Sequence, residues 1–334
     1  MKLRFDRERS PRHNLPAALR QPLYDIFLQY ADGAVRRDGR KWIDLTLSES
    51  SERLAPYPFE QRPAPATYDS LPPLSERYRW AELTWEEAEQ RLQQVDIALL
   101  PVGAIEQHGP HLPLDLDAFD AAYLAERVAA ACGNPKPLVL PLVPYGVSYH
   151  HQAFKGTISI SNEAMAKFIY DIGICAARNG IRKLVIINGH GDNAPTLSYA
   201  AQMINRDAQI FVCVDTGETS DADIGRITQT PNDIHAGEVE TSTALAIRPQ
   251  LVHMDRAVDS TLKFSSRYLD FSTEHSVPWY VHTQKISETG VMGNPTLASA
   301  EKGARIWEIM IGHLVALVEE LKGMTLEEVY QKRY

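Results

Sequence analysis

Four apolar runs, 97–102 (IALLPV), 138–143 (LVLPLV), 184–187 (LVII) and 210–214 (IFVCV), lack the polar alternation of a half-exposed strand. A strand that is apolar at consecutive positions is covered on both faces, and this limits the fold more than any other feature of the chain. Between the runs lie stretches of helical periodicity at 118–131, 162–179 and 194–205, the second bracketed by Ser161 as a cap and Gly180 as a stop. Strand and helix in alternation predict an α/β fold, a three-layer α/β/α sandwich with a mostly parallel sheet. Thr84 in LTWEEAEQRLQQ caps the helix that opens this domain, and an amphipathic stretch at 297–321 closes it.

With 334 residues, 44% of them hydrophobic, the chain supports one large domain with an appended arm. The expected division is a Pro-rich N-terminal extension at 1–80 and a catalytic domain at 81–334. Within the extension, 56–73 (PYPFEQRPAPATYDSLPP) reads as an extended belt against the main body or a neighbouring subunit. The net charge of -9 comes without any Lys/Arg block, which argues against nucleic acid and anionic membranes and leaves a small molecule as the expected partner. Cys132, Cys175 and Cys213 are odd in number and show no C-x-x-C spacing, so they read as reduced core residues of a cytoplasmic protein. The basic N-terminus at 1–20 lacks the apolar core of a signal peptide, and no run approaches the roughly 20 residues of a membrane span. A loop-rich insert at 263–295 carries Tyr268, Trp279, Tyr280 and His282 and has no predicted position.

In such a sheet, ligands bind beyond the carboxyl ends of the strands. The first run leads into Glu106-Gln-His108-Gly-Pro-His111 and on to Asp117; the third leads into Asn188-Gly-His190-Gly-Asp192-Asn193. Glu106 and His108 are two residues apart, so in an extended segment they face different points, and two ions side by side account for the spacing. Asp117 then bridges both ions, His190 joins the ion of Glu106, and Asp192 joins that of His108. Three carboxylates and a hydroxide balance two M²⁺, as a buried site requires. His235 and Glu240, in HAGEVETST, form the expected acid/base pair. The reading keeps His150, His151, His253, His275 and His313 as structural hydrogen-bonders and places His111 between the two classes.

Taken together, LTWEE, LLPVGAIEQHGPHLPLDLD, YGVSYHHQAFKGTISIS, NGHGDN, HAGEVETST and GVMGNPTLASAEKG resemble the creatininase family and its relatives, which include formamide deformylases of deazaflavin biosynthesis and the mycofactocin peptidase. The resemblance implies a creatininase-like fold and metal ligands at Glu106, His108, Asp117 and His190, with Asp192 standing where creatininase has a second Glu. It also implies acid/base roles for His235 and Glu240, and a homo-oligomer, with hexamers common in the family. The implied reaction is hydrolysis of a non-peptide C–N bond, in a cyclic amide or formamide, by a hydroxide bridging two divalent ions (Zn, Mn or Fe). The Trp residues that creatininase closes over its substrate have no counterpart between Asp215 and His235. Two other readings stand beside this one. Gly189-His-Gly191-Asp-Asn-Ala194, with Asp215 beyond it, fits the G-x-G-x-x-A turn of a dinucleotide-binding oxidoreductase. A non-catalytic metal-binding assembly subunit is the third.

Overall fold

The structure, a computed structural model, describes residues 3–6, 42–45, 71–271 and 277–331. Two compact units divide it, Met1–Leu71 and Pro72–Tyr334. In the first, β1 (Leu3–Asp6) pairs antiparallel with β2 (Trp42–Leu45), Leu3 opposite Leu45. Most of the expected belt, 56–70, lies outside the described residues. The second unit starts earlier than the predicted boundary at 80/81. Tyr78 and Trp80 pack against the core, Arg77 pairs with Glu87 at 2.5 Å, and Arg79 pairs with Glu126 at 2.8 Å. Aromatic burial and these ion pairs tie 72–80 to the body that follows.

The second unit is built on a parallel sheet of β3 (Ile97–Val102), β4 (Leu138–Val139), β5 (Lys183–Asn188) and β6 (Phe211–Asp215), in the order β4-β3-β5-β6. Its helices include α1 (Trp85–Leu92), α2 (Leu116–Ala131), α3 (Asn162–Asn179), α4 (Ala194–Ala208), α5 (Asp221–Ile224), α6 (Glu238–Ile247), α7 (Ala300–Lys322) and α8 (Leu326–Val329). Thr84 and Glu87 close a capping box on α1, while Ser161 accepts from the Ala164 amide and Gly180, at φ 112°, ends α3. The expected α/β sandwich is observed.

Chain direction explains the layers. From β3 the chain moves to β4 through α2, turns back across the sheet through α3 to β5, and continues through α4 to β6. Right-handed crossovers therefore put α2 on one face and α3 and α4 on the other. α7 packs beside α2 and α6. The reversal falls between β3 and β5, where loops leaving toward opposite faces open a crevice.

Two expectations are corrected. The run 138–143 forms strand only at Leu138–Val139, with one further bridge from Val143 to Val102. Pro141 and Pro144 lack the amide hydrogens a continuous ladder needs. Cys132 is buried as predicted, but Cys175 is exposed: it lies on the outer side of α3, beside an apolar cavity of about 640 Å³ that Phe168 and Ile172 also line. None of the described helices is long and apolar enough to cross a membrane.

Candidate metal centre

The crevice brings two strand ends against the start of α2, and glycines make the approach possible. A Cβ on Gly103 would lie 2.3 Å from the Ala118 Cα, and one on Gly189 would lie 2.4 Å from the Asp117 carbonyl oxygen. With hydrogen at both places, β3 and β5 deliver their loops to one point above Asp117, in the first turn of α2. Gly109, at φ 66°, turns the β3 loop back after His108.

Glu106 and His108 have no exposed surface, and Asp117 and His190 are buried. Asp117 divides its oxygens between two histidines: Oδ1 is 3.0 Å from His108 Nε2, and Oδ2 is 3.3 Å from His190 Nδ1. Glu106 Oε2 is 3.3 Å from His190 Nε2. Main-chain carbonyls fix both tautomers, because such an oxygen only accepts. His108 Nδ1 lies 3.2 Å from the Glu106 carbonyl, and His190 Nε2 lies 2.8 Å from that of Val147, so each of these nitrogens carries the hydrogen. The lone pairs sit on His108 Nε2 and His190 Nδ1, the nitrogens facing Asp117. Anchoring one ring nitrogen so that the other presents its lone pair is the usual support for a metal-binding histidine.

The carboxylates are short of donors. Both oxygens of Glu106 and Oδ2 of Asp117 are enclosed without a hydrogen-bond partner. Buried ionised carboxylates are costly unless something positive meets them. Divalent cations fit this donor set: carboxylate oxygens beside imidazole lone pairs, with the ligand atoms of Glu106, His108 and Asp117 within 4.8 Å of one another. Without cations, protons take that place. Burial opposes a charge on His108 and His190, but Asp117 and Glu240 around the first, and Glu106 and Asp117 around the second, outweigh it and raise both to about 10. Burial pushes the Glu240 carboxyl up to about 7. His235 goes the other way, held well below the usual imidazole range by burial and by His108 and His151.

The structure brings six of the seven predicted site residues into this centre: Glu106, His108, Asp117, His190, His235 and Glu240. His235 Nδ1 is 3.6 Å from Glu106 Oε1, and Glu240 Oε2 is 3.8 Å from His108 Nε2. Asp192 differs. Instead of facing His108, it lies on the His190 side, 2.8 Å from His150 Nδ1, with its side chain 39% exposed. The strand-like alternation assumed for 190 and 192 stops at His190, because Gly191–Asn193 is a turn of 3-10 helix that swings Asp192 to the rim. Besides Asp117, the carboxylate paired with His108 is Glu240.

Three residues of the centre were missed. His151 Nε2 is 3.3 Å from Glu106 Oε1, and the ligand atoms of His150 lie within 4.8 Å of those of Glu106 and His190. Gln107 binds His151 from behind. The signal for the two histidines was present: they follow the second apolar run at the same rim, inside one of the motif blocks. From the aromatic insert, Tyr280 reaches the edge of the crevice, its ring 6.3 Å from that of His150. The other histidines are peripheral. His111 bonds Thr241 at 2.9 Å, His313 pairs with Asp223 at the surface, His253 is exposed, and His275 lies outside the described residues.

The Gly189-x-Gly191 turn serves this packing. Gly189 admits the backbone of α2, and the buried Asn193 side chain accepts from the Val147 amide and donates to the Gly103 carbonyl.

Comparison with known proteins gives a consistent picture. The family profile described as creatinine amidohydrolase matches residues 81–318. A mycofactocin precursor peptide peptidase of Mycolicibacterium smegmatis is 34% identical over 223 residues, covering 65% of this chain and 82% of its own length. A 3-dehydro-scyllo-inosose hydrolase of Thermotoga maritima is 30% identical over 262 residues, covering 72% of this chain and 82% of its own. A solved structure described as creatininase Mn is similar with a TM-score of 0.63 at 28% identity, covering 74% of this chain and 99% of its own.

Proposed function

The chain belongs to the creatininase family, and from that premise we propose that this metal-dependent amidohydrolase opens a cyclic amide or cleaves a formamide at two divalent ions shared through Asp117. The observation that carries the reading is the split of Asp117 between His108 Nε2 and His190 Nδ1. Glu106, Asp117 and His190 would hold one ion; His108, Asp117 and Glu240 would hold the other. This gives Glu240 a ligand's place and leaves the acid/base task to His235. Ions bound there supply Lewis acidity and bring the pKa of a water from about 15.7 towards about 7. Zn, Mn and Fe all suit mixed imidazole and carboxylate ligands.

The chain's own residues do the rest. His235 Nδ1 faces the centre from a nearly closed position and moves the proton that the departing nitrogen requires. Tyr280, His150 and Asp192 stand at the crevice edge, where they orient a small substrate. We place the enzyme in the cytoplasm as a homo-oligomer, with the N-terminal unit Met1–Leu71 as an appended arm. Elemental analysis of purified protein tests the centre, with about two ions per chain expected. Screening cyclic amides and formamides against short peptides tests the substrate class. Turnover of peptides alone would favour the activity for which the M. smegmatis relative is named.

A further inference from the structure

Four histidines lie within 3.6 Å of Glu106 or Asp117, and the hydrogen bonds behind them do not all point the same way. His108 and His190 each donate to a main-chain carbonyl and turn a lone pair to the centre. His235 follows the same pattern, since its Nε2 lies 2.7 Å from the Gln107 carbonyl oxygen and must carry the hydrogen, leaving Nδ1 free to accept. His151 is the exception.

The Gln107 side chain decides this. Its Oε1 accepts from the Gly109 amide at 2.9 Å, which fixes the orientation of the amide and makes Nε2 the NH₂ group. That NH₂ lies 2.8 Å from His151 Nδ1, 3.2 Å from the Gly290 carbonyl oxygen and 3.0 Å from His235 Nε2. His235 Nε2 is already a donor, so the two amide hydrogens go to Gly290 and to His151 Nδ1. His151 Nδ1 therefore holds a lone pair, and the ring hydrogen sits on Nε2, which is fully enclosed and 3.3 Å from Glu106 Oε1. Gly290, at φ 85°, is part of the arrangement, since a Cβ there would lie 1.8 Å from Gln107 Oε1.

We propose that Gln107 gives His151 and His235 opposite polarities toward the same oxygen of Glu106, His151 offering an N–H at Nε2 and His235 a lone pair at Nδ1. His151 is thereby a positioning residue and no metal ligand: it turns an N–H, not a lone pair, toward Glu106 Oε1 at 3.3 Å. The cluster of Glu106, His151 and His235, although its ligand atoms lie within 4.8 Å of one another, is a donor and an acceptor set around a carboxylate. The proposal deepens the reading of this crevice as a binuclear centre.

Ring ¹⁵N chemical shifts of histidine-labelled, zinc-loaded protein distinguish protonated from bare nitrogens, and His151→Gln and His235→Gln spectra assign the signals. The expected result is a neutral His151 with hydrogen on Nε2 and a His235 with hydrogen on Nε2. A His151 protonated at Nδ1, or coordinated to zinc, overturns the proposal without any variant of Gln107 having to fold. Gln107→Glu replaces the NH₂ by an acceptor and should move the His151 hydrogen to Nδ1, with kcat falling about 10- to 100-fold at unchanged metal content. Unchanged shifts and kcat in this variant would also overturn it. Zinc content measured on the same samples is independent of the tautomers, so failure of the metal reading is seen separately.

Discussion

Glu106 and Glu238 are equally inaccessible, at 0% exposure, yet their surroundings are opposite. Glu238 Oε2 accepts from the amides of Gln229 and Thr230 at 2.9 and 2.7 Å and from the Thr230 hydroxyl at 2.6 Å, and Oε1 meets the Lys302 ammonium. Glu106 accepts no hydrogen bond of good geometry on either oxygen and sees only imidazoles. A carboxylate kept for structure is satisfied by the chain itself. One left unsatisfied in the interior retains capacity for something from outside, and the proposed occupants of that place are cations.

The contrast can be broken most severely at Asp117, the carboxylate shared between His108 and His190. Asp117→Ala or His190→Ala should lower kcat/KM by at least about 10³-fold, the scale of several kcal/mol of lost ion stabilisation, with bound metal falling in parallel. Wild-type turnover in either variant would remove Glu106 and its neighbours from the functional class. At Glu238 the expected loss is of another kind. Glu238→Gln should cost about 1.5–3 kcal/mol in urea unfolding, as for a hydrogen-bonded charge, while metal content stays the same.

The comparison is sharpened by protons. In the metal-free protein, His108 and His190 titrate at about 10, so at pH 8 both are protonated and loading must displace their hydrogens. Calorimetric titration with zinc in buffers of different ionisation enthalpy should show about two protons released per chain. Apparent affinity should rise with pH and level off above about 10; a pH-independent affinity would mean that protons do not stand in for the ions. The smallest effect belongs to the rim. Asp192→Ala should leave the ion count unchanged and reduce kcat/KM by less than about tenfold, the size of a supporting contact. Loss of an ion in this variant would return Asp192 to the ligand set.

Much of this was legible because the signals are local. Continuous apolar runs specify buried parallel strands, and side chains just after β3 and β5 share a rim whatever the details of packing. Glu106, His108 and His190 could therefore be named from their distance to a strand end, and Asp117 from its place beyond the Gly109-Pro110 turn. Asp192 could not be placed, because its direction depends on whether two residues after His190 stay extended or turn. His150 and His151 fall to the default for a lone histidine after a strand, a structural hydrogen-bonder, and the proline-broken second run gives no local sign of how close its end lies to the other two.

The sequence by itself determined the α/β layering, the rim on which polar residues gather and the chemical types available there. Only the tertiary structure decided that Glu240 rather than Asp192 stands beside His108, and where each imidazole carries its hydrogen. Those outcomes hang on acceptors and donors far away in the chain: His190 on Val147 across 43 positions, His235 on Gln107 across 128, and Gln107 on Gly290 across 183. A hydrogen bond is decided by distance and direction in space, and no pattern of neighbouring residues encodes either across such separations.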